Sequence, residues 1–380
     1  MPTADVPASR PPFLFLISEF RNFVRAMIKV NLYEEKMKKL FGICLCCTGL
    51  FPFKAQAQVA VDEPLKLVQT IPLPGLHDGD FDHFQVDLPG QRLFLAAEDN
   101  SAIEIIDLRA NKVIGKITNT KAPHSMAYNP DSKKLFVVDD GGPNQVEIYD
   151  GTSLSLVGTI PMKAHADASI YDPETKLFYV GNGGKEAHED YCLISIVDTT
   201  TGKKLGDIKV DDDHIEAMAL EKSGPRLFVN MTSKNAVAVI DREKRTMIAT
   251  WSNAEAGRAN GPMAFDEANH RLFVVTRDPN KVVVLDTNSG KVVTSFPGIG
   301  QFISDDAVYD PGLKRLYVVG TPFLNVFQQR SPNAYQLLGQ LPNAFHANTA
   351  FLLPQLNQYY VAVNHHGNED AKVQVYKVVP

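Results

Sequence analysis

The sequence predicts an all-β chain, a seven-bladed β-propeller of four-stranded antiparallel blades, and three observations predict it. A short Leu-aromatic signature recurs seven times, its spacing is that of one blade, and no long helical period interrupts it. The signature is a basic or polar residue, Leu, an aromatic and an aliphatic: Arg92-Leu93-Phe94-Leu95, Lys134-Leu135-Phe136-Val137, Lys176-Leu177-Phe178-Tyr179, Arg226-Leu227-Phe228-Val229, Arg271-Leu272-Phe273-Val274 and Arg315-Leu316-Tyr317-Val318. A degenerate copy, Gln358-Tyr359-Tyr360-Val361, closes the series, and the aromatic steps from Phe94 to Tyr360 are 42, 42, 50, 45, 44 and 43 residues.

Each copy carries the same parts in order. A small, partly apolar inner strand such as Ser125-Met126-Ala127-Tyr128 leads to a tight turn, Asn129-Pro130-Asp131 or Asp310-Pro311-Gly312. The Leu-aromatic strand follows. A variable loop then leads to a third strand ending in Asp, as at Asp107, Asp198, Asp241 and Asp286, and a turn such as Thr287-Asn288-Ser289-Gly290 feeds the outer strand. The last copy lacks an outer strand, and Lys66 to Ile71 is a spare one near the other end. The N-terminal strand is therefore expected to complete the seventh blade, which removes the unpaired edges.

The 380 residues are 44% hydrophobic and 22% charged, an ordinary globular balance, with a formal net charge of -6. That acidity argues against a general nucleic-acid or anionic-membrane binder. Met37-Lys38-Lys39, the apolar run from Leu40 to Phe53 and Ala55-Gln56-Ala57 together have the form of a secretory signal, too short to span a bilayer. The expected organisation is an upstream extension at 1–36, a signal at 37–57 and a propeller over 58–380, a monomer placed in the periplasm or outside the cell, with no transmembrane span after signal removal. Cys44, Cys46 and Cys47 lie in the signal, so the propeller keeps only Cys192 and no internal disulfide. No haem-attachment motif, Gly-x-Ser-x-Gly elbow, P-loop or dinucleotide fingerprint is present.

Arg-Leu-Phe-Val with a following Val-Ile-Asp and a Gly-Lys-Val turn resembles the YVTN repeat. Phe81-Asp82-His83-Phe84, Gly224-Pro225-Arg226-Leu227-Phe228-Val229-Asn230 and Asp266-Glu267-Ala268-Asn269-His270-Arg271-Leu272-Phe273 are similar to a bacterial YncE-like group. The resemblance covers nearly all of Leu65 to Pro380 and implies the fold rather than an activity. Trp251 is the only Trp, which sets the chain apart from WD40 propellers and from quinoproteins with tryptophan docking motifs.

In a propeller, the loops entering each inner strand share the upper face with those joining the second and third strands. Nine of the ten histidines map there, and only His270 falls in a lower turn. With the blades aligned on the last apolar residue of the inner strand, the position four residues earlier reads Asp82, His124, Asp167, Glu216, Gly261, Asp305 and Asn348. Two residues earlier again it reads Asp80, Ala122, His165, His214, Ala259, Ile303 and His346. Alternate strand residues share a side, so both levels are expected to face the channel near its upper mouth. With His83, these histidines, acids and Asn348 are the candidate binding residues.

Three readings stay open. The polar ring is solvated lining, or a metal site using Asp167, Glu216, His124 and His165, or an acid-base site without metal. The corresponding functions are a binding or interaction protein that presents a small-molecule or protein site at the upper face, and a metal-dependent enzyme of lactonase or lyase type. His365-His366 reads as a surface loop, Cys192 as a packed residue, and Asp211-Asp212-Asp213 as a solvated turn able to assist His214 and Glu216.

Overall fold

The protein is described from a computed structural model that covers residues 63–297 and 304–380. The expected extension at 1–36, the expected signal at 37–57 and Ile303 lie outside the described residues.

Twenty-eight strands form seven four-stranded antiparallel sheets. Blades 1 to 6 each use four consecutive strands, beginning at Phe84, Pro123, Ser169, Ile215, Arg258 and Ala307. Blade 7 combines Ala350–Leu353, Gln358–Val363 and Lys372–Val378 with Leu65–Pro72 as its outer strand, in the register Leu65 to Val378 through Pro72 to Lys372. Strands from opposite ends of the described chain thus close the ring.

The repeat residues explain the local structure. Third-strand aspartates accept backbone N–H groups of the turn that follows. Asp107 Oδ1 takes Arg109 and Ala110 at 2.8 and 2.7 Å, and Asp286 Oδ1 takes Asn288 and Ser289 at 3.1 and 2.9 Å. The signature aromatics Phe94, Phe136, Phe178, Phe228, Phe273, Tyr317 and Tyr360 are all fully buried on the second strands. The described residues form seven apolar clusters, and each is shared by two neighbouring blades: Phe94 with Met126 and Tyr149, for example, or Phe228 with Met263 and Leu272. The core is therefore a ring of blade-to-blade seams, and the axis is left to short inner strands and polar side chains. Cys192 is a buried free thiol, and its burial, followed by the nearby charges of Asp212, Asp213 and Glu186, pushes it up to about 12. No helix among the described residues is long and apolar enough to cross a membrane.

Candidate functional site

The inner strands carry their acids and histidines to the upper end of the channel by irregular backbone. In blades 2, 4 and 5 the pairing of inner and second strands slips between Pro123 and Met126, Ile215 and Met218, and Asn260 and Met263. A bulge at this level re-aims side chains that a regular strand would alternate. In blades 1, 3 and 6 backbone bonds beyond the paired strands extend the ladder upward instead, among them Asp82 N to Ala96 O (3.0 Å), Asp167 N to Gly181 O (3.3 Å) and Val319 N to Asp306 O (3.2 Å).

The result is one cavity of about 380 Å³ at the channel mouth. All six polar residues of the nearer level, Asp82, His124, Asp167, Glu216, Asp305 and Asn348, line it, together with His83 and with Asp80 and His346 of the farther level. The structure brings these residues together from six blades. Two further charged wall residues, Glu98 and Arg277, are absent from the aligned positions. Glu98 follows the second strand of blade 1. Arg277 lies on the second strand of blade 5 and occupies the gap left by Gly261, where a Cβ would come 3.2 Å from its Nε. The only signal for Arg277 in the sequence is that single glycine among six polar residues.

The farther level divides. Asp80 and His346 reach the cavity and approach each other to 3.3 Å. His165 and His214 do not line it; their rings stack on each other with centroids 4.9 Å apart. The alternation argument ends here because the backbone is no longer extended: His165, Ala259 and His346 all have left-handed φ, at 56, 52 and 55°. Asp167, Glu216, His124 and His165 are therefore not one cluster. His165 lies apart, and Glu216 is engaged by Arg277 Nη1 at 2.7 Å and by His214 Nε2 at 3.1 Å.

Charge is unevenly paired around the cavity. His124 Nδ1 lies 2.6 Å from Asp82 Oδ2 and 3.6 Å from Asp167 Oδ1, and its Nε2 is 4.0 Å from Glu98 Oε1. His83 sits 3.3 Å from Asp82 and 3.2 Å from Asp306. Burial disfavours the charged form of His124, but the bond to Asp82 and the charges of Asp167, Asp82 and Glu98 outweigh it and raise its pKa to about 10. Burial pushes Asp82 up, yet His83 and His124 hold it below the usual carboxylate range. Burial likewise opposes Glu216, but His214 and Arg277 bring it to about 2. The remaining acids go the other way. Burial, with the charges of Asp82 and Asp306 exceeding the relief from Arg277, lifts Asp305 to about 8. Burial, with the charges of Asp82, Asp99 and Asp167 exceeding the relief from His124, lifts Glu98 to about 7. Burial and Asp82 also raise Asp167. Two sets of three donors have their ligand atoms within 4.8 Å of one another, Asp82 with Glu98 and His124, and Asp82 with His83 and Asp167.

No family model matches the chain. Over 221 residues, 54% of this chain, it is 21% identical to YncE of Salmonella typhimurium, a protein described as uncharacterized, and equally to YncE of Salmonella typhi. That stretch spans 60% of the length of these curated relatives. A chain of Kuenenia stuttgartiensis hydrazine synthase superposes with a TM-score of 0.65 at 18% identity, covering 80% of this chain and 98% of that one, which is a likeness of fold. The seven blades make the chain a seven-bladed propeller, the structural likeness agrees with that fold, and over part of its length the chain is similar to YncE.

Proposed function

We propose that this propeller is a binding protein whose ligand site is the acidic cavity at the upper mouth, and that the site is organised around a divalent cation. The observation that carries the reading is the position of Asp82, which belongs to both three-donor groups. Carboxylates mixed with imidazoles suit zinc, manganese or iron better than calcium. The raised pKa values of Glu98, Asp305 and Asp167 have the same origin: negative charge is crowded here beyond what His83, His124 and Arg277 offset, and a cation relieves it. A cavity of about 380 Å³ leaves room beside an ion for a small molecule with oxygen donors. The reading includes export through the 37–57 segment, whose basic start, apolar core and small-residue end have the form of a signal.

A second reading, metal-dependent hydrolysis or elimination, draws on Glu98. A carboxyl with a pKa of about 7 beside His124 is suited to exchange protons with a substrate or with water near neutral pH.

The test is the metal content of the chain purified without chelator, measured by mass spectrometry on wild type, Asp82→Asn and Glu98→Gln. Each variant is expected to lose about one equivalent relative to wild type, and uptake by the stripped protein should release protons. Equal metal content in all three proteins would overturn the cation site. Lactone turnover by wild type that Asp82→Asn abolishes would turn the binding reading into the enzymatic one.

A further inference from the structure

We infer that a second metal site, suited to zinc, lies outside the channel mouth, where the loops entering blades 3 and 4 meet, with His165 Nε2, His214 Nδ1 and the Glu186 carboxylate as its ligands. One possible ligand atom from each of these three residues lies within 4.8 Å of the others. None of the three lines the mouth cavity.

The two nitrogens, like Asp213 Oδ1 in the neighbouring loop, are unexplained polar atoms. Both are buried, and neither has a hydrogen-bond partner among the described residues. Leaving such atoms unpaired is costly, yet the two rings stack on each other and the backbone that carries them is held in place. The His165 backbone, in a left-handed conformation at φ 56°, donates to Asp140 Oδ1 at 2.9 Å. The His214 backbone N–H donates to Asp212 Oδ1 at 2.9 Å, and its carbonyl accepts from Thr232 N at 2.9 Å.

The hydrogen bonding of His214 also fixes which nitrogen is free. Its Nε2 meets Glu216 Oε1 at 3.1 Å, and an ionised carboxylate only accepts, so the proton of the neutral ring sits on Nε2 and the lone pair on Nδ1. A carboxylate behind a histidine is the usual way of orienting a metal ligand and raising its basicity.

Glu186 comes from the short 3-10 turn Gly184–Ala187, which is pinned to the 211–214 loop by Lys185 N donating to Asp213 O at 3.0 Å. The approach depends on Gly184, whose φ is +79° and where a Cβ would meet Asp213 O at 2.2 Å. The Glu186 side chain is exposed and only loosely paired with Lys185 at 3.7 Å, so it is free to swing onto an ion. Two imidazoles and one carboxylate form a zinc donor set that leaves a fourth position open, with Zn–N distances of about 2.0–2.1 Å. Metal uptake therefore draws the three donors closer together.

The experiment uses the full chain carrying Asp82→Asn, which separates this site from the mouth. The protein is stripped with chelator and titrated with Zn²⁺, and with Co²⁺ as a visible-absorption probe. The expected result is about one equivalent of tight zinc and a cobalt spectrum with imidazole character. Adding His165→Ala or Glu186→Gln should weaken zinc about a hundredfold or more and abolish the zinc-induced rise in melting temperature. Glu186→Gln is an exposed, isosteric change that leaves the fold intact, so its result stands even if His165→Ala disturbs packing. Failure of the Asp82→Asn chain to bind zinc, or unchanged zinc affinity in Glu186→Gln and His165→Ala, overturns the site. Equal metal content in wild type and Asp82→Asn would instead remove the mouth site and leave this one standing.

Discussion

The two ends of the blades treat charge in opposite ways. On the lower face, Arg92, Arg226 and Arg271, each opening a second strand, pair with an acid of their own blade and reach into the next. Arg92 donates to Asp87 at 2.6 Å and to Gly151 O of blade 2 at 2.6 Å. Arg226 pairs with Glu221 through two nitrogens and donates to Thr287 O of blade 5. Arg271 binds Asp286 at 2.5 Å and Asn333 of blade 6 at 2.7 Å, and Arg315 donates to Val379 O beyond the third strand of blade 7. At the upper mouth, the six acids Asp82, Glu98, Asp167, Glu216, Asp305 and Asp306 share four cationic or imidazole partners, His83, His124, His214 and Arg277. The repeat spends its arginines on holding blades together and leaves the mouth under-neutralised, and under-neutralised acid is what a cation site requires.

The largest expected effect breaks a staple. Arg226→Ala leaves Glu221 nearly buried without its partner and removes the bridge to Thr287. Removing one member of a buried pair strands the other charge, so a loss of about 3 kcal/mol is expected in urea unfolding. At the mouth, Asp305→Asn should do the reverse and raise the stability of metal-free protein by on the order of 1 kcal/mol at alkaline pH, because it deletes a charge that Arg277, already engaged by Glu216, offsets only in part. A loss in Asp305→Asn comparable to that in Arg226→Ala would end the distinction between the two faces.

Stability as a function of pH sharpens the contrast, with chelator present throughout. Glu221 is held below its usual range, chiefly by the hydrogen bond from Arg226. Its contribution is present above the ordinary glutamate pKa of about 4.3 and is lost as pH falls through the lower folded value. Asp305 has a folded pKa of about 8, against about 3.9 unfolded. Between these values the folded state holds a proton that the unfolded chain has released. The Asp305 contribution to stability therefore declines as pH rises from about 4 to about 8 and then levels, while His124, raised to about 10, extends the decline above pH 8. Glu98, at about 7, tilts the curve the same way. Arg226→Ala should weaken the acid limb and Asp305→Asn should flatten the alkaline one. A wild-type curve flat between pH 5 and 8 would contradict the crowding at the mouth.

How much was legible follows from the same physics. The signature aromatics and the third-strand aspartates repeat because each blade must bury one face and close one turn, so the fold and its closure by Leu65–Pro72 could be read from spacing. The nearer ring of polar residues was legible for a related reason: inner strands start at a fixed distance from their last apolar residue. Glu98, Arg277 and Asp306 were not, because they reach the site from second strands, loops or the next residue along, where no period points. His165 and His214 followed the pattern in sequence but left it in space, since a left-handed residue or a bulge at the mouth cancels the alternation on which the alignment relied.

The smallest effect tests whether pairing alone explains the lower face. Lys176 occupies the same repeat position as Arg226 and reaches blade 2 through Asp131, with Nζ and Oδ2 2.8 Å apart. Asp131 is 71% exposed, so this pair forms in water rather than in a partly closed seam. Screening and side-chain entropy cancel most of such an attraction, and Lys176→Ala is expected to cost about 0.5 kcal/mol or less in the same urea measurement. If it cost as much as Arg226→Ala, contact between opposite charges would itself be what joins the blades. The small loss expected here locates the strength of the arginine staples in their buried partners and in the carbonyls of the next blade, neither of which the lysine reaches.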